Sequence, residues 1–171
     1  YFIDEERGGY YLTSINALDV PIRMKISSDS ATPSGNGLLF KALVTWWRLS
    51  GRIDLKENIN MLEKSFGKTV IENPSSHCTW ISGFESLYKG TDFVVVGDQN
   101  SSIVKEMVDN INNLRINDSL LILISPHDNL PKNHPAFGKT NVSQTTAYIC
   151  TGRKCSLPIL DPDKIKQNLF E

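Results

Sequence analysis

The sequence contains few of the features that mark specialised classes of protein. Cysteine is scarce, with three among 171 residues, so a secreted domain held together by several disulfides is not indicated, and we expect a reducing, cytoplasmic location. The longest apolar runs, at 93–96 and 120–124, have the length of strands and fall far short of the roughly 20 residues that cross a bilayer. We therefore expect no membrane association.

An excess of charge of one sign is also lacking. The 18 basic and 19 acidic residues give a formal net charge of −1, and the basic residues are scattered along the chain. Proteins that bind nucleic acid normally present a basic patch, so we expect no nucleic-acid partner. The chain begins with Tyr1 and has no initiator methionine, which favours a piece of a longer protein, with any targeting segment lying upstream.

The composition is that of a globular protein, with 40% hydrophobic residues, and apolar residues recur at helical spacing in its first half. Ser34 is a suitable N-cap for a helix from Gly35 to Leu49, and further helices are predicted at 55–70 and 79–88. Successive helices with short links are typical of helical hairpins. The inward face of the first helix is predicted to contain Leu39, Ala42, Leu43, Trp46, Trp47 and Leu49.

The periodicity changes near residue 90. Apolar runs at 93–96 and 119–125 flank a helical pattern at 101–113, which predicts a βαβ unit with two parallel strands. A third strand is predicted at 147–150 and a last helix at 163–170. The expected fold class is therefore mixed α/β, with helical hairpins followed by a small, largely parallel three-stranded α/β unit.

Two polar segments are candidates for a site. Asp4, Glu5 and Glu6 precede Gly8-Gly9, and paired carboxylates of this kind either serve general acid–base chemistry on a sugar or form a solvated turn. The segment 29–36 places several polar side chains at the start of a helix, where free N–H groups bind either a polar ligand or a capping side chain.

A nucleotide site and a catalytic triad are poorly supported. Gly97-Asp98-Gln99 follows a strand and precedes a helix, but the chain has neither the glycine spacing of a dinucleotide site nor the Lys-Ser/Thr of a P-loop. We therefore interpret the segment as a tight strand-to-helix turn. No Ser-His-Asp or Cys-His arrangement is indicated.

Cys150 and Cys155 are separated by four residues, whereas thioredoxin-type redox pairs are separated by two. We expect them to shape the turn after the last strand, as redox or structural thiols, with Gly152 at a positive φ. A reversible disulfide is sterically feasible. A structural zinc site would need further ligands from Cys78, His77, His127 or His134, whose spacing does not place them there, so no metal is predicted.

Three motifs resemble those of one known family. Residues 29–36 read Asp-x-Ala-Thr-Pro-Ser-Gly-Asn, and residues 148–162 read Tyr-x-Cys-x4-Cys-x-x-Pro-x-x-Asp-Pro. Together with Gly8-Gly9-Tyr10-Tyr11, they occur in the same order and at similar spacing in the YyaL-like family of spermatogenesis-associated, thioredoxin-domain-containing proteins. The resemblance covers nearly the whole chain.

Members of that family carry an N-terminal thioredoxin-like domain, an (α/α)6 toroid similar to sugar epimerases and six-hairpin glycosidases, and a small α/β tail. The resemblance implies that residues 1–90 are the end of the toroid and residues 91–171 the tail. It also implies, as partners, the absent thioredoxin-like and toroid regions. No cofactor is implied.

The loops of such toroids line a polar cavity, and the resemblance implies that this cavity binds or processes a carbohydrate-like molecule. The alternatives are a non-catalytic interaction or scaffold module, and a redox-linked partner of the thioredoxin-like domain, so whether the parent protein is an enzyme stays open. Segment 27–30 departs from the family pattern, since many members have an Asp-Gly pair there. The candidate cavity-lining residues are Asp4, Glu5, Asp29, Ser34 and Asn36.

A toroid buries each hairpin against its neighbours. Within a fragment, the helix faces around Trp46, Trp47 and Phe66 are therefore expected to be exposed, and to take part either in self-association or in contact with the absent remainder of the protein.

Overall fold

The structure is a computed structural model that describes residues 1–152 and 154–169. The chain divides into two compact units. The N-terminal unit comprises Tyr1–Trp47 and Ile53–Ser86, and the C-terminal unit comprises Arg48–Arg52 and Leu87–Glu171. The first consists of loops and helices, whereas the second contains the β-sheet.

The three helices predicted for the first half of the chain are confirmed, and each observed end lies within about two residues of its prediction. Ser34 caps the first of them, since its Oγ accepts a hydrogen bond from the Gly37 N–H at 3.2 Å. Gly51 follows that helix with φ of 66°, the left-handed conformation that ends many helices. The helices are α1 (Gly35–Ser50), α2 (Ile53–Glu72) and α3 (Cys78–Lys89).

An aromatic cluster forms the centre of the N-terminal unit. Trp80 is fully buried and its ring centroid lies 5.0 Å from that of Phe40 and 5.2 Å from that of Phe66. Gly37 allows this packing, because a Cβ at this position would lie 3.0 Å from the Trp80 ring. Since Phe66 is buried, the prediction that it is exposed is wrong.

The predicted inward face of α1 is partly wrong. Phe40, Leu43 and Val44 are buried, whereas Trp46 and Leu49 are exposed, as is Ala42. Apolar residues surround most of this helix, so helical spacing alone does not distinguish the buried side from the opposite one. The expected exposure of Trp46 is confirmed, and Trp47 is half-buried with the Lys56 ammonium 4.9 Å from its ring centroid.

The C-terminal unit is a four-stranded sheet with the strand order β2-β1-β3-β4. Its β1 and β2 are parallel and pair from Thr91 opposite Ser119 to Val96 opposite Ile124, which confirms the predicted βαβ unit. The elements are β1 (Thr91–Val96), α4 (Ser102–Asn113), β2 (Ser119–Ile124), β3 (Thr146–Thr151) and β4 (Lys154–Cys155).

The prediction of a largely parallel, three-stranded unit is wrong, because β3 is antiparallel to β1 and β4 is antiparallel to β3. A parallel third strand would need a crossover connection, usually a helix. Segment 125–145 contains turns but no helix, so β3 lies beside β1 in the opposite direction. The sheet is therefore mixed.

The C-terminal segment also differs from its prediction. In place of a helix over 163–170 there are two short 3-10 turns, Pro162–Lys164 and Gln167–Leu169, and residue 170 lies outside the described residues. Asp161 does cap the first turn as expected, since its carboxylate accepts from the Asp163 N–H at 3.0 Å.

Apolar side chains cover both faces of the sheet. One cluster includes Phe93 and Val95 with Met107 of α4, and the other includes Val94, Val96 and Cys150. No described helix is both long enough and apolar enough to cross a membrane.

Candidate functional site

The buried carboxylate of Asp4 is the centre of the first predicted polar segment. Asp4 Oδ2 accepts from the Lys25 ammonium at 2.6 Å and from the Tyr11 hydroxyl at 3.0 Å. Its Oδ1 accepts from the backbone N–H groups of Glu6 and Arg7. The hydrogen bond from Lys25, followed by that from the Arg7 backbone, holds the pKa of Asp4 far below its ordinary value. Asp4 is thus a fixed anion, unsuited to donating a proton near neutral pH.

The backbone that surrounds Asp4 depends on Gly8 and Gly9, which adopt φ of 71° and 83°. Asp4 N–H donates to the Gly9 carbonyl and Gly8 N–H donates to the Asp4 carbonyl, at 2.9 and 2.8 Å. A Cβ at Gly9 would lie 2.6 Å from the Phe66 ring. The Gly-Gly pair therefore allows a left-handed loop to pack directly against α2.

Asn36, on the first turn of α1, holds two loop segments to the helix. Its side-chain oxygen accepts from the Tyr10 N–H at 2.9 Å. Its amide nitrogen donates to the Tyr10 carbonyl at 2.8 Å and to the Ile26 carbonyl at 3.0 Å. Asn36 is 2% exposed, and these three bonds occupy three of the four sites that its side-chain amide offers.

Asp29 caps two helices at once. One carboxylate oxygen accepts from the Ser34 N–H, just before α1, and the other accepts from the Thr79 N–H in the first turn of α3, both at 2.8 Å. Burial by itself raises the pKa of Asp29, but the hydrogen bonds from Thr79 and Ser34 outweigh it, and the net pKa is lowered. An anion that accepts backbone N–H groups at helix starts is stabilised by their dipoles.

The structure thus brings together four of the five predicted cavity-lining residues around the first turn of α1. Asp4 and Asn36 both form hydrogen bonds with the loop at 8–10. Asp29 accepts a hydrogen bond from the Ser34 N–H at the start of the helix. Each of the four accepts hydrogen bonds from backbone N–H groups, and Asp4 also accepts from the side chains of Lys25 and Tyr11. Glu5 is different, since it is exposed and has no hydrogen bond or ion pair with any other residue that the structure describes.

A Ser–His contact was not predicted from the sequence. Ser27 Oγ lies 3.1 Å from His77 Nε2, and His77 Nδ1 lies 2.7 Å from the Asn73 carbonyl. A carbonyl only accepts, so Nδ1 carries a proton, and in the neutral ring Nε2 accepts from Ser27. His77 is 2% exposed. No sequence signal links the two residues, because they are fifty positions apart.

Cys150 and Cys155 are joined by a disulfide and lie opposite each other in β3 and β4. Gly152, in the connecting turn, has the expected positive φ of 61°. The remaining cysteine, Cys78, is free and exposed. Within residues 1–152 and 154–169, no three His, Cys, Asp or Glu side chains lie close enough together to hold a metal ion.

A cleft of about 380 Å³ opens on the C-terminal unit. It lies between the end of α4, with Asn110 and Asn113, and the 3-10 turns near Pro162 and Lys166. Asn110 already donates to the Pro162 carbonyl at 3.1 Å. Gly97 forms the tight strand-to-helix turn predicted for it, packed against Thr145 and Val104.

Comparisons with known proteins give remote but nearly full-length similarity to one group. The chain is 25% identical to human spermatogenesis-associated protein 20 over 98% of its length, and 24% identical to the rat protein of that name over 99%. An uncharacterised protein of Caenorhabditis elegans is 21% identical over 88% of the chain. No family model and no solved structure matches the chain.

The chain spans about a fifth of the length of these relatives, 22% of the human and rat proteins and 21% of the nematode protein. The matched region is the C-terminal part of the human protein, which is a thioredoxin-domain family member. The similarity confirms the expected resemblance to spermatogenesis-associated proteins of a thioredoxin-domain family and does not reach the YyaL-like subfamily.

Proposed function

We propose that this chain is a docking module of a longer polypeptide, and that the preceding part of the same polypeptide covers its exposed apolar residues. The occupant we infer is the thioredoxin-like and toroid region expected from the sequence. The observation that carries the proposal is the density of exposed apolar side chains in the first 24 residues, together with relatives more than four times as long as the chain.

We define the N-terminal apolar surface as the eight large apolar residues of this segment that are at least 40% exposed: Tyr1, Phe2, Ile3, Leu12, Ile15, Leu18, Ile22 and Met24. Backbone hydrogen bonds hold their segments side by side, from Leu12 N–H to the Met24 carbonyl and from Ile15 N–H to the Tyr1 carbonyl, both at 2.9 Å. Single exposed apolar residues are common on proteins, but a concentration of this kind is typical of an interface.

The polar residues of the N-terminal unit support a docking function better than a catalytic one. Asp4 and Asn36 use their side chains to fix the loops that carry the N-terminal apolar surface, and Asp29 caps α1 and α3. A catalytic acid needs a pKa near the working pH and access to substrate, whereas the pKa values of both aspartates are lowered. These residues thus maintain the shape of an interface.

Carbohydrate binding is the second candidate, on the single observation that the Glu5 carboxylate is exposed beside the loop that carries Tyr10 and Tyr11. The test is thermal stability of the full-length protein against a panel of saccharides. A saccharide-dependent rise in Tm that is lost in Glu5→Gln and kept in Glu6→Gln would favour this candidate.

Docking is tested by expressing this chain and the preceding part of its polypeptide as separate proteins and measuring their binding by calorimetry. Leu18 and Ile22 are 97% and 76% exposed, so replacing both by Lys leaves the core intact and puts two charges in the interface. We expect the double variant to weaken binding by about a hundredfold or more.

Leu157→Lys is the matched control, because Leu157 is 82% exposed but belongs to the C-terminal unit. It should bind like the wild type. Equal binding by the double variant and the wild type, or no binding by the wild type, would contradict the docking proposal. The cytoplasmic location and the toroid origin of α1–α3 stay predictions that the same full-length protein can test.

A further inference from the structure

The Cys150–Cys155 disulfide lies where an external thiol can reach one of its two sulfurs. β4 is the outermost strand of the sheet and consists of two residues, so it has β3 on one side only. Cys155 is exposed, whereas Cys150 is 1% exposed and packs with Val94 and Val96. An attacking sulfur therefore has access to Cys155 and not to Cys150.

The disulfide also adds little to holding the sheet together. It closes a loop with a sequence separation of five, and the stabilisation from a crosslink decreases as the closed loop becomes shorter. β3 is held without it, by six-residue pairing with β1 and by hydrogen bonds in both directions between Ala147 and Ile159. Opening the disulfide would free the hairpin turn and leave β3 in place.

We propose that Cys150–Cys155 is a redox-active disulfide, reduced by a Cys-x-x-Cys dithiol protein that attacks the Cys155 sulfur. The first thiolate of the dithiol bonds to Cys155 Sγ, the Cys150–Cys155 bond breaks, and Cys150 leaves and takes up a proton. The second thiolate of the dithiol protein then attacks the sulfur of its first cysteine, which is bonded to Cys155, and releases Cys155. Two electrons pass from the dithiol, which becomes a disulfide, to the cysteine pair, which becomes a dithiol.

The attack site is tested by trapping. A thioredoxin whose resolving cysteine is replaced by serine stops at the mixed disulfide, which mass spectrometry locates. Cys78→Ser serves as background, because Cys78 is the exposed free cysteine of the described residues. We expect the amount of adduct on Cys155 to exceed that on Cys150 by about tenfold or more. Adduct mainly on Cys150, or none, would overturn the proposal.

A second measurement distinguishes a redox-active disulfide from a purely structural one, and it needs no substitution of Cys150 or Cys155. Intact thioredoxin, kept reduced by NADPH and its reductase, is mixed with the oxidised chain, and free thiols are counted after acid quenching and denaturation. Reduction of the folded protein should proceed at the same rate in water and in urea below the unfolding transition. A rate that rises steeply with urea would show that reduction requires unfolding and would contradict the proposal.

Discussion

Each of the two units of the chain is stabilised internally by a different kind of contact. In the N-terminal unit, side chains fix irregular loops, as Asn36 does for Tyr10 and Asp29 does for Ser34 and Thr79. In the C-terminal unit, backbone hydrogen bonds join β1 to its neighbours β2 and β3 and fix the strands. Apolar clusters cover both faces of the sheet. A loop that depends on a few side chains is sensitive to single substitutions, whereas a ladder distributes its bonds over many residues.

The largest effect is expected at a buried ion pair of the C-terminal unit, between Arg48 and Asp92. Arg48 is 5% exposed and donates to Asp92 at 2.8 and 3.0 Å and to Asp118 at 3.2 Å. Arg48→Met should lower the free energy of unfolding by about 4 kcal/mol, because it leaves Asp92 buried without its ion pair. Urea unfolding measures this.

The control for that substitution is the double variant Arg48→Met with Asp92→Asn. Burial raises the pKa of Asp92, so its neutral isostere should recover part of the lost stability. Additive losses in the double variant would show that the two residues act independently, and would contradict a stabilising ion pair between Arg48 and Asp92.

A somewhat smaller loss is expected from Asn36→Ala in the N-terminal unit. Three hydrogen bonds to loop backbone disappear from a buried position, and the unfolding free energy should fall by about 3 kcal/mol. Asn60→Ala is the matched control, since Asn60 is exposed on α2 and should change stability by less than about 0.5 kcal/mol. Similar effects of the two variants would refute the anchoring role of Asn36.

Gly9→Ala tests the backbone conformation of the N-terminal unit rather than its hydrogen bonds. The added Cβ meets the Phe66 ring, and φ of 83° is unfavourable for alanine, so we expect a loss of about 2 kcal/mol in thermal or urea unfolding. Gly35→Ala should be neutral or slightly stabilising, because a Cβ there has no heavy atom within 4 Å among the described residues. A neutral Gly9→Ala would mean that the loop does not pack against α2.

The smallest effect expected is a loss of stability in mild acid. The folded pKa of Asp4 and that of Asp29 lie below the ordinary value of 3.8, so the stability they contribute is full above that value and is lost as pH falls towards the folded pKa. Asp92, whose pKa is raised, contributes in the opposite direction, but the shift in the pKa of Asp4 is the larger of the two. The urea midpoint should therefore decrease from about pH 5 to about pH 3.

Asp4→Asn and Asp29→Asn should each reduce this decrease, whereas Asp163→Asn, in an exposed turn of the C-terminal unit, should leave it unchanged. Wild-type behaviour of both N-terminal variants would contradict the assigned pKa shifts.

The sequence predicted the regular elements better than the contacts between them. Helical spacing located α1–α3, and continuous apolar runs located β1 and β2, because these patterns are local. The direction of β3 depends on the long connection before it, which carries no periodic signal. The helix α1 carries apolar residues on most of its sides, so their spacing does not distinguish its exposed side from its buried one.

The sequence predicts polar residues for the candidate site but not the partners of those residues. Asp29 beside Ser34 at a helix start is a local capping signal, whereas its bond to Thr79 crosses fifty positions. The same holds for Tyr10 with Asn36. Whether a polar side chain faces a ligand or a distant backbone group is decided by such contacts, which a local pattern does not encode.

Hydrogen exchange of individual amides, compared between wild type and Asn36→Ala, measures how far this side chain holds the loops of the N-terminal unit. If side chains hold the loops of the N-terminal unit, the Tyr10 amide, which donates to Asn36, should lose most of its protection in the variant. Amides of β1 and β3, paired with each other, should keep theirs under conditions where the protein stays folded. Unchanged protection at Tyr10, or an equal loss in β1 and β3, would contradict the account.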